Sequence, residues 1–148
     1  MELAKELEGV IEGGVSVEEE ILAENSEDTS IFHIEPECVA YPKHAADLGA
    51  LVNYASANPG KLSLTARSAG TDMSGGPLTN SVVVNFTKYF NKVLDVNEER
   101  AVTQPGVYYR DFEPETLKHG VLLPSYTASR ELNTVGGMVA NNSAGEKS

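Results

Sequence analysis

The stretch from Leu62 to Gly76 reads Leu-Ser-Leu-Thr-Ala-Arg-Ser-Ala-Gly-Thr-Asp-Met-Ser-Gly-Gly, and its residue types and spacing are those of an anion cradle. Residues this small let backbone N–H groups approach a bound anion. Consecutive amides in a tight turn form a concavity matched to phosphate oxygens. Apolar Leu62, Leu64 and Ala66 predict a strand entering the segment, and Ser81-Val82-Val83-Val84-Asn85-Phe86 predicts a strand leaving it. The exit discriminates between nucleotide motifs. A Walker loop needs Gly-Lys-Ser/Thr with a helix behind it, and a Rossmann turn needs Gly-x-Gly-x-x-Gly opening a helix. Neither pattern is present, so the segment predicts a different phosphate cradle, built on main-chain dipoles and Arg67.

The remaining reactive side chains predict structural roles. His33, His44 and His119 are not at metal-ligand spacings. His44 is expected in the opening turn of a helix, and His119, followed by Gly120, at a helix C-terminus, where imidazole favours the dipole. Cys38, on a buried strand, reads as a small core residue. Tyr108 and Tyr109 read as packing residues. No Ser-His-Asp arrangement or pair of catalytic carboxylates follows from the spacings, so neither catalytic nor metal-binding residues are assigned.

Several elements must position the loop. Leu3, Leu7, Val10 and Ile11 have helical spacing, broken by Gly13-Gly14, and Val17, Ile21 and Leu22 form a second short stripe. Cys38 to Tyr41 predicts a buried strand stopped by Pro42. Leu48, Leu51, Val52 and Ala55 predict a helix over 43–57 that ends at Asn58-Pro59-Gly60. With the strand at 62–67 these make a β-α-β unit with a right-handed crossover. Further on, 92–96 and 101–104 predict a hairpin around Asn97-Glu98-Glu99-Arg100. Residues 109–119 predict a helix with Pro114 in its first turn. Residues 121–124 predict a strand, and 134–145 is small and polar.

Composition excludes several classes. The chain has 148 residues, enough for one domain with a real core, and no apolar run approaches the roughly 20 residues of a membrane helix. The net charge of −11 argues against nucleic acid, whose binding rests on Lys and Arg neutralising phosphates. The charge is uneven: residues 1–30 hold ten carboxylates and one Lys, while residues 31–148 hold twelve carboxylates and ten basic groups. The near-neutral body therefore admits an anionic ligand. We divide the chain into an acidic lead-in, 1–35, and a domain, 36–148. The acidic N-terminus lacks the pattern of a signal peptide, and the single cysteine fits a reducing compartment, so a cytoplasmic protein is expected. The triplets Asn85-Phe86-Thr87 and Asn141-Asn142-Ser143 are then chance matches to a glycosylation signal.

Five features occur in order: Asp28-Thr29-Ser30-Ile31-Phe32; Pro36 to His44; Arg67 to Gly76; Val102-Thr103-Gln104-Pro105-Gly106-Val107; and Asn133 to Gly145. Together they resemble the FAD-binding domain of the vanillyl-alcohol oxidase/PCMH superfamily, with the closest likeness to D-lactate, glycolate and 2-hydroxyglutarate dehydrogenases. The resemblance implies an α+β PCMH-type fold of two subdomains clasping FAD, here with the first subdomain complete and the second truncated. It implies that Arg67, Ser68, Ala69, Gly70, Thr71 and Asp72 surround the pyrophosphate, with Ser74 and Gly75 continuing the cradle. Thr134, Val135, Gly136 and Gly137, then Asn141, Asn142, Ser143 and Ala144, would line the flavin or its linker. Some members hold FAD covalently through a His in the pyrophosphate loop; Thr71 occupies that position here, which implies non-covalent FAD. Ser68-Ala69-Gly70 replaces a family glycine triplet, and a positive φ at either of the first two would cost about 1 kcal/mol. The implied function is the FAD-binding portion of an oxidoreductase that oxidises a 2-hydroxy acid, inactive alone. The alternative is a non-catalytic FAD-binding subunit completed by a separately encoded partner chain.

Overall fold

Apolar side chains at helical and strand spacing sort into two cores, with a loop-lined cleft between them. The computed structural model describes residues 2–145. The first core is built from α1 (Glu2–Glu8), β1 (Val15–Ser16), α2 (Glu19–Asn25), β2 (Cys38–Ala40), α3 (Ala45–Ala57), β3 (Leu64–Arg67) and β4 (Val82–Asn85). Four strands form one sheet in the order β1-β2-β4-β3, with β1 antiparallel to β2 and the other pairings parallel. Cys38, Val39 and Ala40 face Val82, Val83 and Val84 in register, and all six are buried. A continuous apolar run of this kind belongs to a parallel strand covered on both faces.

The β2-α3-β3 unit forms with its two strands parallel, but β4 inserts between them. The strand leaving the small-residue loop therefore becomes a central strand, and Arg67 and Phe86, at the carboxyl ends of β3 and β4, both line the cleft. The lead-in belongs to this core. Leu3, Leu7 and Ile11 pack with Cys38, Leu51 and Val84, and Leu7 is fully buried. Asp47, near the start of α3, fastens it further: its carboxylate accepts the amides of Glu12, Gly13 and Lys43. Burial opposes the charge, yet those amides and His44 hold the Asp47 pKa below its usual value. His44 is the N-cap of α3, its Nδ1 accepting from the Asp47 amide.

The second core contains the hairpin β5 (Val93–Val96) and β6 (Ala101–Thr103), then α4 (Tyr109–Leu117) and α5 (Val135–Ala140). Val107, Tyr109, Phe112, Tyr126 and Met138 form its centre. Three expectations are corrected here. Helix α4 begins at Tyr109, so Pro114 lies in the second turn, where its ring removes a donor from the helix interior. Residues 121–124 form no strand: Leu122 and Leu123 pack on the second core, and an apolar run so used needs no sheet partner. Within the small polar tail, Thr134 caps a short helix that periodicity did not reveal, because Gly136 and Gly137 carry no side chain to show a face.

Candidate functional site

The chain leaves β3 at Arg67 and reverses through two left-handed glycines, Gly70 at φ +69° and Gly75 at φ +83°. Ser68 and Ala69 keep negative φ, so the strain expected from replacing glycines there does not arise. A Cβ on Gly70 would stand 2.3 Å from Arg67 Nη2, so only glycine fits over the guanidinium. That guanidinium is 8% exposed as part of its residue and donates to the carbonyls of Glu24 (3.2 Å), Asn25 (3.5 Å) and Glu27 (2.7 Å). Burial pulls its pKa down, and nearby Asp28 pushes it back up. Arg67 does not pair with Asp72.

Beyond Arg67 the main chain is open. Among the described residues, the amides of Ser68, Ala69, Gly70, Thr71 and Asp72 donate to no protein acceptor. The turn that follows is closed by side chains. Asp72 Oδ2 accepts from the Ser74 amide (3.0 Å), Ser74 Oγ (2.7 Å) and the Gly76 amide (2.8 Å). Its Oδ1 accepts from Asn141 Nδ2 (3.2 Å), which ties this loop to the second one. The Ser74 hydroxyl, the Gly76 and Ser74 amides and Asn141 outweigh burial and bring the Asp72 pKa from 3.8 to about 2.

The second loop is satisfied internally. Thr134 Oγ1 accepts from the Gly137 amide (3.3 Å), while the Val135 and Gly136 amides donate to the carbonyls of Val107 and Pro105, both at 2.9 Å. A Cβ on Gly136 would lie 2.6 Å from Pro105 Cβ and O, so this glycine lets α5 seat against Pro105. On Gly137 it would meet only Thr134 Oγ1, at 3.4 Å.

Between the loops lies a cleft of ≈ 480 Å³, in the range of small-molecule sites. Arg67, Ser68, Ala69, Gly70, Thr71 and Asp72 line one side; Thr134, Gly136, Gly137, Asn141 and Ser143 line the other. The other expected residues lie elsewhere. Ser74 and Gly75 stand in the turn outside the cleft, bonded to Asp72 and Asp28. Val135 packs on the second core, and Asn142, at φ +47°, and Ala144 are exposed. Phe86, Pro105, Thr127, Ser129, Asn133 and Met138 also line the cleft and were missed. Phe86 carried a signal: it ends a parallel strand, and ligands gather at the carboxyl ends of such strands. Thr127 and Ser129 carried none, because tertiary folding alone brings them there. Asn133 donates to Thr127 Oγ1, while its own Oδ1 is buried without a partner.

Elsewhere, burial pushes the Cys38 thiol up to about 11, which keeps it protonated and unreactive near neutrality. Burial also pushes the Tyr109 phenol to about 12. Among the described residues, no group of three His, Cys, Asp or Glu side chains is placed to hold a metal ion.

A four-stranded sheet with a strand-loop-strand cradle facing a glycine-led helix defines an α+β fold of the PCMH type. The solved alkyldihydroxyacetonephosphate synthase superposes with a TM-score of 0.81 at 22% identity, covering 97% of this chain and 29% of that one. The family described as "FAD binding domain" matches residues 36–148, and the chain belongs to it. D-2-hydroxyglutarate dehydrogenase of Pseudomonas putida is 30% identical over 125 residues, 82% of this chain and 12% of that protein. Glycolate oxidase subunit GlcD of Bacillus subtilis is 28% identical over 114 residues, 74% of this chain and 24% of the subunit. The chain thus spans about an eighth to a quarter of the lengths of these two relatives.

Proposed function

We propose that the cleft holds the FAD of a flavin-dependent oxidoreductase acting on a 2-hydroxy acid. The observation that carries this reading is the run of unbound amides from Ser68 to Asp72 in a segment lining the cleft. A diphosphate wants convergent N–H donors, and left without a ligand these amides have only solvent. Opposite them, Gly136 and Gly137 offer a surface without side chains, where a flat ring or its linker can pass close to the main chain. The fit is consistent in charge: the Asp72 carboxylate is engaged by Ser74, Gly76 and Asn141, which draw its charge into the turn. When bound, FAD supplies the two-electron chemistry. The substrate class follows from the names of the two relatives, D-2-hydroxyglutarate dehydrogenase and glycolate oxidase subunit.

In this reading 36–148 is the cofactor-binding domain and 1–35 a lead-in folded onto it. The groups that bind and activate the substrate come from outside these residues, and this chain alone turns over nothing. Thr71, where covalent family members carry His, leaves FAD held non-covalently. No described helix is long and apolar enough to cross a membrane, and with its single buried thiol we place the protein in the cytoplasm. Titrating the purified chain with FAD and following flavin fluorescence tests the assignment: saturable binding is expected, and its absence overturns it. Acid precipitation then separates the modes of attachment, with free flavin expected in the supernatant and flavin in the pellet refuting non-covalent binding. Turnover of D-lactate, glycolate or D-2-hydroxyglutarate by the chain alone would refute the assignment of substrate groups elsewhere.

A further inference from the structure

The lead-in reaches the cofactor loop through side chains that the FAD reading does not use. Thr29 donates its amide to the Asp72 carbonyl (3.0 Å), and its hydroxyl lies 2.7 Å from that oxygen and 3.0 Å from the Thr71 carbonyl. Asp28 accepts the Gly75 amide on one carboxylate oxygen (3.0 Å) and the Ser30 amide on the other (2.8 Å). Phe32 lies against Gly75, where a Cβ would come within 3.0 Å of its ring. On the near side of the loop, the Arg67 guanidinium lies beneath Gly70 and takes up carbonyls at the C-terminal end of α2. The Glu24 and Asn25 carbonyls belong to the last turn of α2, where carbonyls lack helical partners and a cation is favoured, and that of Glu27 follows just beyond it.

Peptide planarity turns these contacts into an orientation. In a trans peptide the C=O and the following N–H point in opposite directions. Drawing the Thr71 carbonyl to Thr29 therefore directs the Asp72 amide the other way, and Arg67 sets the height of the loop at Gly70. These contacts act on the loop from outside the matched family region, which begins at residue 36.

We propose that residues 24–30 are part of the cofactor site: Thr29 and Asp28 are positioning residues that hold the Ser68–Asp72 amides in their binding orientation, and Arg67 is the strut beneath them rather than a ligand of the diphosphate. This rests on the FAD assignment, so the test has one readout with FAD and one without. The full chain is made as Thr29→Val, which removes the hydroxyl and keeps the shape, as Thr29→Ser, which restores the hydroxyl, and as Lys61→Met. Lys61 pairs with Glu6 (2.6 Å) and fastens the lead-in far from the loop, so its variant reports general loosening. Thr29→Val is expected to bind FAD about tenfold more weakly, the scale of one lost hydrogen bond. Thr29→Ser should bind within about threefold of wild type on the same scale. In ligand-free protein, amide exchange across 71–76 should quicken in Thr29→Val and not in Thr29→Ser or Lys61→Met.

Equal FAD affinity and equal exchange in Thr29→Val and wild type overturn the proposal. So does the same loss of affinity in Lys61→Met, which would make the lead-in a general stabiliser. If wild type takes up no FAD, the functional reading falls, and the clamp is then decided by exchange alone: unchanged rates at 71–76 in Thr29→Val reject it.

Discussion

In the 67–76 loop the amides from Ser68 to Asp72 have no acceptor among the described residues, whereas in the 133–145 segment those of Val135, Gly136 and Gly137 are bound to Val107, Pro105 and Thr134. Both segments are rich in small residues and both line one cleft, joined by the Asp72–Asn141 hydrogen bond. Their glycines do different work. Gly70 is required by a left-handed φ and a guanidinium beneath it; Gly136 is required by contact with Pro105 in an ordinary helix. Small residues in a sequence therefore mark close approach, and only the hydrogen-bond partners say whether a segment's amides are bound to the protein's own chain or left open. On the FAD reading, the first loop is the polar half of the site. The second is a prebuilt surface.

The largest expected effect breaks the first loop. Gly70→Ala forces a β-carbon onto Arg67 at a positive φ, at a cost of roughly 2 kcal/mol or more. Thermal denaturation should show a clear loss of stability, accompanied by loss of FAD binding. Replacement of Gly60, also at positive φ but with open space around it, should be milder. A sharper contrast comes from amide exchange on the unmodified chain. FAD should slow exchange at 68–72 strongly and leave 135–137 nearly unchanged, and equal protection in both loops would erase the distinction between them. Next, Gly137→Ala tests whether the second loop is a contact surface. Alanine raises helix stability by up to about 1 kcal/mol, so stability should hold or rise while FAD affinity falls about tenfold as a methyl enters the cleft. Thr134→Val removes the cap of α5 and should cost about 1 kcal/mol in thermal or urea unfolding, with exchange at 68–72 unaffected.

The smallest effect is one of pH. Asp72 is bound more favourably as carboxylate in the folded state, its pKa falling from 3.8 to about 2. Its contribution is complete above about pH 4 and disappears as pH falls through about 2. Asp72→Asn should therefore flatten the acid limb of stability in that window, by little, because the group is partly solvated.

Much of the first core was legible along the chain. The Cys38–Tyr41 run, the 3.6-residue stripe of α3 and the strand-loop-strand around Arg67 are local patterns, and each became the element it predicted. Less of the second core was legible. The helix start at Tyr109 was legible, but Pro114, expected in the first turn where its missing N–H costs least, lies in the second, in a helix whose Tyr109 and Phe112 pack in the second core. Leu122 and Leu123 had strand-like character, but they are half-buried against the second core without pairing in a sheet. Arg67 was legible as a cation at the head of a small-residue loop. Its partners, three carbonyls some forty residues earlier, were not.

By itself, the amino-acid order determined most of the local elements of the first core and the two small-residue segments that line the cleft, because glycine, alanine, serine and periodic apolar residues act over a few positions. It determined the family as well, since five motifs in order leave little freedom. Only the tertiary structure decided that β4 runs between β2 and β3, that the acidic lead-in enters the core and reaches the loop at Thr29, and which amides are left open. Those outcomes depend on hydrogen-bond partners drawn from distant parts of the chain, and a donor's availability is settled only when every competing acceptor has its place.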